Sequence, residues 1–127
     1  MIEVPRSHII HNIEHYQNII QKEMPAQLAY KIAKLIFIIA QEQIIYENMK
    51  EQISLKYAKK NSDNIPIRDT NNNIIIDSQY KEQVEKDIQE MLNTTIQLQI
   101  IPINIQDFKD IKFKPTEIMA LMPFIKE

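Results

Sequence analysis

The most unusual property of this 127-residue sequence is that it contains no glycine. Glycine is the usual residue at tight turns, at helix C-termini and in the loops that cradle phosphate groups. Its absence excludes the glycine-rich nucleotide-binding motifs, and the sequence offers no other motif for a cofactor. Since asparagine adopts positive φ angles more readily than most residues, we expect asparagines at the turns.

Cysteine is absent too, and neither sign of charge is in large excess. Without cysteine there are no disulfides, no thiol nucleophiles and no thiolate metal ligands, so an intracellular protein is the simpler interpretation. The formal net charge of -2 provides no general basic field, and nucleic acids and anionic lipids normally require one. We therefore do not expect a nucleic-acid partner.

Long hydrophobic runs are missing as well. The longest uninterrupted apolar run, Leu35 to Ala40, is far shorter than the roughly 18 residues that a membrane-spanning helix needs. No membrane partner is therefore expected. The chain length predicts a single domain, made of a helical hairpin over residues 1–60 and a mixed part over residues 61–127.

What the sequence does contain is one unusually long helical segment. Pro25 to Lys60 has no proline after its first position, which predicts a helix roughly 50 Å long. One stripe of this helix has heptad-like spacing and is the expected intramolecular face; it consists of Leu28, Ile32, Leu35, Ile39, Tyr46, Met49, Ile53 and Tyr57. A sparser apolar set lies about 180° away, and it consists of Tyr30, Phe37, Ile44 and Leu55.

Shorter helices are predicted on both sides of this segment. Apolar residues recurring every three or four positions predict a first helix over residues 8–23, with Ser7 as its N-cap. A third helix is predicted over residues 79–93, capped by Asp77 or Ser78. The last helix begins at Pro115 and ends at Pro123, and the apolar pair after it, Phe124 and Ile125, should dock on the core.

The β-structure is predicted to be small. Two β-branched runs around an asparagine-rich segment predict a hairpin within residues 61–77, and asparagines of this segment are expected at the positions that glycine usually takes. Apolar residues that alternate with polar ones predict strands on either side of Pro102 and a further short strand at residues 111–113. No internal repeat is evident. The expected fold is α+β and mostly helical, with the long central helix packed against two or three shorter helices and a small antiparallel sheet.

The only residues that resemble a catalytic or metal centre are three histidines, His8, His11 and His15. On a helix they would lie within about 60° of one another, which is compatible with metal ligands. No His-Glu-x-x-His order supplies a general base, however, and the histidines flank or oppose the apolar stripe. We expect them to be surface residues; a pH-sensitive interface and a metal-assisted hydrolase are the alternatives.

Other catalytic groups are not indicated. The carboxylates of the third helix alternate with lysines, as on a solvated helix surface, and no serine lies in the glycine-flanked elbow that exposes a nucleophile. The five tyrosines occupy helical core or boundary positions with few arginines between them, so a base-stacking platform is not expected. The sequence therefore predicts no catalytic residue.

Several short segments and their order carry a resemblance to known proteins. The segments are LAYKIAK from Leu28, KYAKK from Lys56, EMLNT from Glu90, Ile100 to Ile105, and KPTEIMALMPFI from Lys114. Over about residues 25–127 they resemble a family of small, mostly uncharacterised bacteriophage proteins. Members usually carry Asp-Gly or Asn-Gly at the turns, where this sequence has Asn64 and Asn73. The resemblance implies a phage protein in the host cytoplasm or the virion.

These observations predict a non-enzymatic protein-binding module that forms homo-oligomers. The long helix has more apolar surface than one small fold covers, so Tyr30, Phe37, Ile44 and Leu55 are the expected interface residues. The partner is another copy, a host protein or a phage protein. Two roles fit a phage origin: a virion or assembly component, and an anti-defence inhibitor of a host immune protein or signal.

Overall fold

The computed structural model describes residues 1–126 and shows the expected helix-rich α+β fold. The elements in chain order are β1 (Ile2–Pro5), α1 (Arg6–His11), α2 (Ile13–Ile19), α3 (Ala26–Lys56), α4 (Lys81–Leu92), β2 (Thr95–Leu98), β3 (Ile103–Asn104), α5 (Pro115–Leu121) and β4 (Ile125–Lys126). Short 3₁₀ turns occupy Ser78–Tyr80, Ile105–Phe108 and Met122–Phe124.

The chain divides into two compact units. The first unit contains Met1–Gln43 and the segment from Thr94 onward, and the second contains Ile44–Asn93. One division point lies inside α3 and the other follows α4, so neither coincides with the junction near residue 60 that the sequence suggested.

The first unit is built on a tightly buried apolar core. Ile9, Ile19 and Leu121 expose none of their surface. The tail prediction is confirmed, because Phe124 is fully buried and Ile125 packs against the same core. Burial of this kind contributes about 25 cal/mol per Å² of apolar area, which makes these side chains the main source of stability here.

Two small pairs of strands complete the first unit. β1 pairs antiparallel with β2, and Val4 lies opposite Ile96. β3 pairs in parallel with β4, with Ile103 opposite Ile125. The β2 and β3 strands follow the predicted alternation, whereas β1 was not predicted. Residues 111–113 form no strand, which corrects that part of the sequence interpretation.

The first predicted helix is in fact two helices. The break is at Asn12, whose side-chain amide donates to the carbonyl of His8 at 2.6 Å and whose backbone leaves helical geometry. Side chains of this kind compete with the helical hydrogen-bond ladder. Ser7 lies inside α1, and Pro5 takes the N-cap position instead. α2 ends at Ile19, earlier than the predicted residue 23.

The second unit contains a closed ring of three short segments that repeat every eight residues, a repeat that the sequence interpretation missed. Lys59 N donates to Ile75 O at 2.8 Å, Ile75 N donates to Ile67 O at 2.9 Å, and Ile67 N donates to Lys59 O at 2.9 Å. Antiparallel bridges join the neighbouring residues in the pairs Ala58/Ile76, Lys60/Pro66 and Arg68/Ile74. The predicted hairpin is therefore a three-segment ring.

The same side-chain hydrogen bond follows each segment of the ring. Asn61, Asp69 and Asp77 each accept, through a side-chain oxygen, the N–H two residues further on, at 2.9, 2.9 and 3.2 Å. Each is followed by serine or threonine. Such turns replace lost backbone partners where no glycine is available. The third turn leads into the 3₁₀ turn Ser78–Tyr80, and Asp77 is the N-cap of that turn. The N-cap position of α4 itself is Tyr80, so the predicted capping residue lies one short turn before the α-helix.

Two asparagines adopt the left-handed conformation at equivalent places in the repeat. Asn64 and Asn72 both have φ of 63°. The prediction for Asn64 is confirmed, but the one for Asn73 is wrong, because Asn72 takes the left-handed position in the second turn. The sequence alone does not fix the register of this turn, so each of the adjacent asparagines could occupy the left-handed position. The eight-residue repeat identifies which one does.

Candidate functional site

α3 buries one face and leaves the opposite one open within the first unit. Leu28, Leu35 and Ile39 on the predicted intramolecular stripe expose at most 3% of their surface. Tyr30 and Phe37, on the other side of the same helix, are 58% and 65% exposed. The helical period of 3.6 residues is enough to place the buried and the exposed residues on opposite faces of α3.

Two alanines complete the exposed side of the helix. Ala33 lies between Tyr30 and Phe37, Ala40 follows one turn later, and both are exposed. We call Tyr30, Ala33, Phe37 and Ala40 the outer strip. Their spacing of three, four and three residues is that of a coiled-coil seam, so the strip presents large and small side chains in alternation along one line.

An open apolar groove runs beside the outer strip. It has a volume of about 520 Å³. One wall is α3 itself and the other is the segment after β2, where Ile101 remains partly exposed. The groove is lined by Tyr30, Ala33, Lys34, Leu35, Phe37, Ile38, Gln99, Ile100 and Ile101. Concave apolar surface next to exposed aromatic rings is typical of a place where another protein segment packs.

Lysines supply the charge around this surface. Lys34 Nζ lies 5.3 Å from the centre of the Tyr30 ring, within cation–π distance. Lys31 is held elsewhere, because its ammonium lies 3.1 Å from Asp107 Oδ2. That hydrogen bond and the backbone N–H of Asn104 lower the pKa of Asp107 below its ordinary value. Among the groove-lining residues in the described chain none is acidic.

The four residues predicted as an interface fall into different environments. Tyr30 and Phe37 belong to the first unit, and Ile44 and Leu55 to the second. Ile44 is 61% exposed, whereas Leu55 is half-buried. In the second unit the predicted buried stripe continues through Tyr46, but Met49 is exposed. The assignment of all four residues to an interface stays a prediction.

The histidines have separate environments. His8 Nε2 lies 3.0 Å from the carbonyl oxygen of Ala120, and its ring meets Phe124 edge-on at 6.5 Å. Tyr16 donates its hydroxyl to the same carbonyl at 2.9 Å, and burial raises the pKa of that phenol. His11 is exposed and His15 is half-buried. Across residues 1–126, no three histidine or carboxylate side chains are grouped closely enough to hold a metal ion.

One buried carboxylate, Glu117, has a structural role at the start of α5. It is 2% exposed, accepts the N–H of Lys114 at 2.8 Å and forms an ion pair with Lys22 at 3.0 Å. Burial alone would raise its pKa, but the Lys114 N–H and the Lys22 ammonium outweigh that effect and hold the pKa below its ordinary value. This is half of a capping box, and it fixes the helix N-terminus.

Sequence reasoning found the aromatic residues of the outer strip but missed the alanines and Ile101. Ala33 and Ala40 add little to a hydrophobic pattern, yet their seven-residue interval was a signal in the sequence. Ile101 lies between predicted strands, and only the structure places it across the groove from α3.

Comparisons with protein-family models, with curated proteins and with solved structures found no match to this chain. In the part of the chain that the structure describes, no helix combines the length and the apolar character needed to cross a bilayer.

Proposed function

We propose that this chain is a non-enzymatic protein-binding module that self-associates through the outer strip of α3. The observation that carries the proposal is the pair of exposed rings, Tyr30 and Phe37, seven residues apart beside an open apolar groove. Aromatic residues of this kind are frequent anchors of protein interfaces. Their removal from water on binding would contribute about 25 cal/mol per Å² of apolar area.

The contrast between the two faces of α3 supports this function. The inner face is fully occupied by the core of the first unit, so the helix does not need Tyr30 or Phe37 for its own packing. Together with the adjacent groove, the two exposed rings form a continuous apolar patch, and such patches commonly mark protein-binding surfaces. A surface that binds another protein explains their presence.

Sedimentation velocity over a range of concentrations tests the self-association. We expect the weight-average sedimentation coefficient of the wild type to rise with concentration, and that of the double variant Tyr30→Gln/Phe37→Gln to stay constant. Met119 and Met122 are 59% and 62% exposed and belong to the same unit. The double variant Met119→Gln/Met122→Gln is therefore a matched control that removes similar exposed apolar surface and should still associate.

Two results would contradict the proposal. One is a wild type that sediments as a monomer at every concentration. The other is equal loss of association in both double variants, because general stickiness of exposed apolar residues would then explain the effect.

Within this function, we propose two biological roles, which rest on the resemblance of the segments from Leu28 to Ile125 to small bacteriophage proteins. A virion or assembly component would be found in purified particles. An anti-defence inhibitor would be made early, stay in the host cytoplasm and rescue phage growth in a defended host. The double variant Tyr30→Gln/Phe37→Gln should lose either role if the outer strip carries it.

A further inference from the structure

We infer that the outer strip binds the outer strip of a second copy with the two α3 helices antiparallel. This rests on the proposed self-association and adds its geometry. The strip carries a large residue and a small residue alternately, Tyr30 and Phe37 at one heptad position and Ala33 and Ala40 at the other. Both kinds of position lie in the seam of a two-helix coiled coil.

Orientation decides which side chains meet across that seam. In a parallel pair, identical heptad positions face each other, so layers of two aromatic rings would alternate with layers of two alanines. In an antiparallel pair, each aromatic position faces an alanine position of the partner helix, so every ring packs on an alanine. Alternation of large and small residues across facing positions gives uniform layers without voids, and voids forfeit dispersion contacts. The antiparallel pair therefore suits this strip.

The same complementarity selects a register. With Ala33 of one copy opposite Phe37 of the other, Tyr30 comes opposite Ala40, and the pattern repeats by symmetry on the other side. The twofold axis then passes close to Leu35, whose own side chain points into the core. The contact is isologous, so it closes as a dimer and does not propagate into a filament.

The area of the strip predicts a weak dimer. With 58% and 65% exposure, Tyr30 and Phe37 offer about 250 Å² per copy if a ring side chain presents about 200 Å². The two alanines and the stem of Lys34 increase this area, but it stays below the roughly 800 Å² per partner of a standard stable interface. We therefore expect a concentration-dependent dimer that dissociates on dilution.

Salt should have a distinctive effect on this dimer. In the inferred register, Lys34 of each copy lies near the twofold axis and on the same side of the helix pair. Two like charges within about 10 Å repel, and salt screens them. Association should therefore strengthen as ionic strength rises, and Lys34→Gln should strengthen it at low salt. Weakening by salt would contradict the register.

Spin-label distances test the orientation directly. The chain has no native cysteine, and Gln27 and Gln41 are exposed on α3 beside the strip. Nitroxide labels on Gln27→Cys and Gln41→Cys report the helix orientation in the dimer by pulsed electron resonance. An antiparallel pair places two Gln27 α-carbons about 25 Å apart and Gln27 about 10 Å from the partner's Gln41. A parallel pair reverses this order, at about 10 Å and about 23 Å.

The possible outcomes separate the inference from the function on which it rests. A long Gln27–Gln27 distance together with a short Gln27–Gln41 distance is the expected result. The reversed order overturns the antiparallel inference and leaves self-association intact. Distances that match neither arrangement show that the dimer uses another surface, which also overturns it. If each labelled variant and the wild type sediment as monomers, the inference and the proposed self-association both fail.

Discussion

The first unit buries Ile9, Ile103 and Phe124 completely, whereas the best-buried side chains of the second unit, Val84 and Met91 among them, keep 6–7% of their surface exposed. The second unit instead contains the three-segment ring, in which backbone and side-chain hydrogen bonds recur every eight residues. The two units of one chain therefore depend on different interactions: apolar packing in the first, and hydrogen-bonded turns in the second.

This difference shows how a chain without glycine forms its turns. The first unit places one residue, Asp110, at positive φ (67°). The second unit makes its turns with Asn64 and Asn72 at positive φ and with side-chain acceptors such as Asp69. We expect the first unit to be sensitive to cavities and the second to be sensitive to turn chemistry.

The largest expected effect compares one leucine from each core. Leu121 in the first unit is 0% exposed and Leu92 in the second is 7% exposed. We expect Leu121→Ala to lower the free energy of unfolding by about 4 kcal/mol and Leu92→Ala by about 2 kcal/mol, because a fully enclosed cavity collapses least. Urea denaturation measures both. Equal losses would show that the two cores are equally well packed and would contradict the difference between the two units.

The next effect is a pH dependence in the first unit. Because the folded-state pKa of Glu117 lies below its ordinary value, its ionised form stabilises the fold above the ordinary carboxyl pKa. This stabilisation is lost as pH falls through the folded value. Glu117→Gln should cost about 2 kcal/mol near neutral pH, as expected for charge-assisted hydrogen bonds.

Unfolding of the wild type and of Glu117→Gln, followed from neutral to acidic pH, checks this prediction. The difference between the two proteins should be constant near neutrality and should shrink in acid. A difference that does not change with pH would mean that the charge of Glu117 does not contribute to stability.

A smaller effect is expected from one turn of the ring. Asp69 accepts the N–H groups of Asn71 and Asn73 at 2.9 and 3.0 Å. Asp69→Ala should destabilise the second unit by about 1 kcal/mol. The loss is small because the two N–H groups are exposed and can donate hydrogen bonds to water when the carboxylate is removed. Asp63→Ala is the control, because only the backbone of Asp63 takes part in the equivalent turn. Hydrogen exchange should show faster exchange at Asn71 and Asn73 in Asp69→Ala alone.

The smallest expected effect comes from two adjacent asparagines. Asn72 has a φ of 63° and Asn73 does not have positive φ. Alanine tolerates the left-handed conformation less well than asparagine does, so Asn72→Ala should cost about 0.5 kcal/mol and Asn73→Ala less. Paired thermal unfolding curves measure the difference. The opposite order would contradict the eight-residue alignment of the turns.

The sequence predicted the features that depend on local periodicity. The long interval without proline gave α3, found at Ala26–Lys56, and Pro115 marked the start of α5. Strand β1 could not be predicted, because its four residues include Pro5 and its partner β2 lies about 90 residues away in the chain. Pairing between such distant segments is fixed by packing and leaves little local signal.

The ring and part of the outer strip escaped prediction for related physical reasons. In the ring, the repeat consists of one hydrogen-bond geometry, formed by Asn61, Asp69 and Asp77. The apolar residues around these three positions differ, so hydrophobic periodicity does not show the repeat. In the strip, the helical wheel identified Tyr30 and Phe37. The small residues between them matter only once a second helix is considered.

Hydroxyl-radical footprinting across a concentration series tests most directly whether the outer strip is a binding surface. Oxidation of Tyr30 and Phe37 should slow as concentration rises, while oxidation of Met119, which is similarly exposed in the same unit, should stay constant. Unchanged oxidation of Tyr30 and Phe37 at every concentration would contradict self-association through this strip.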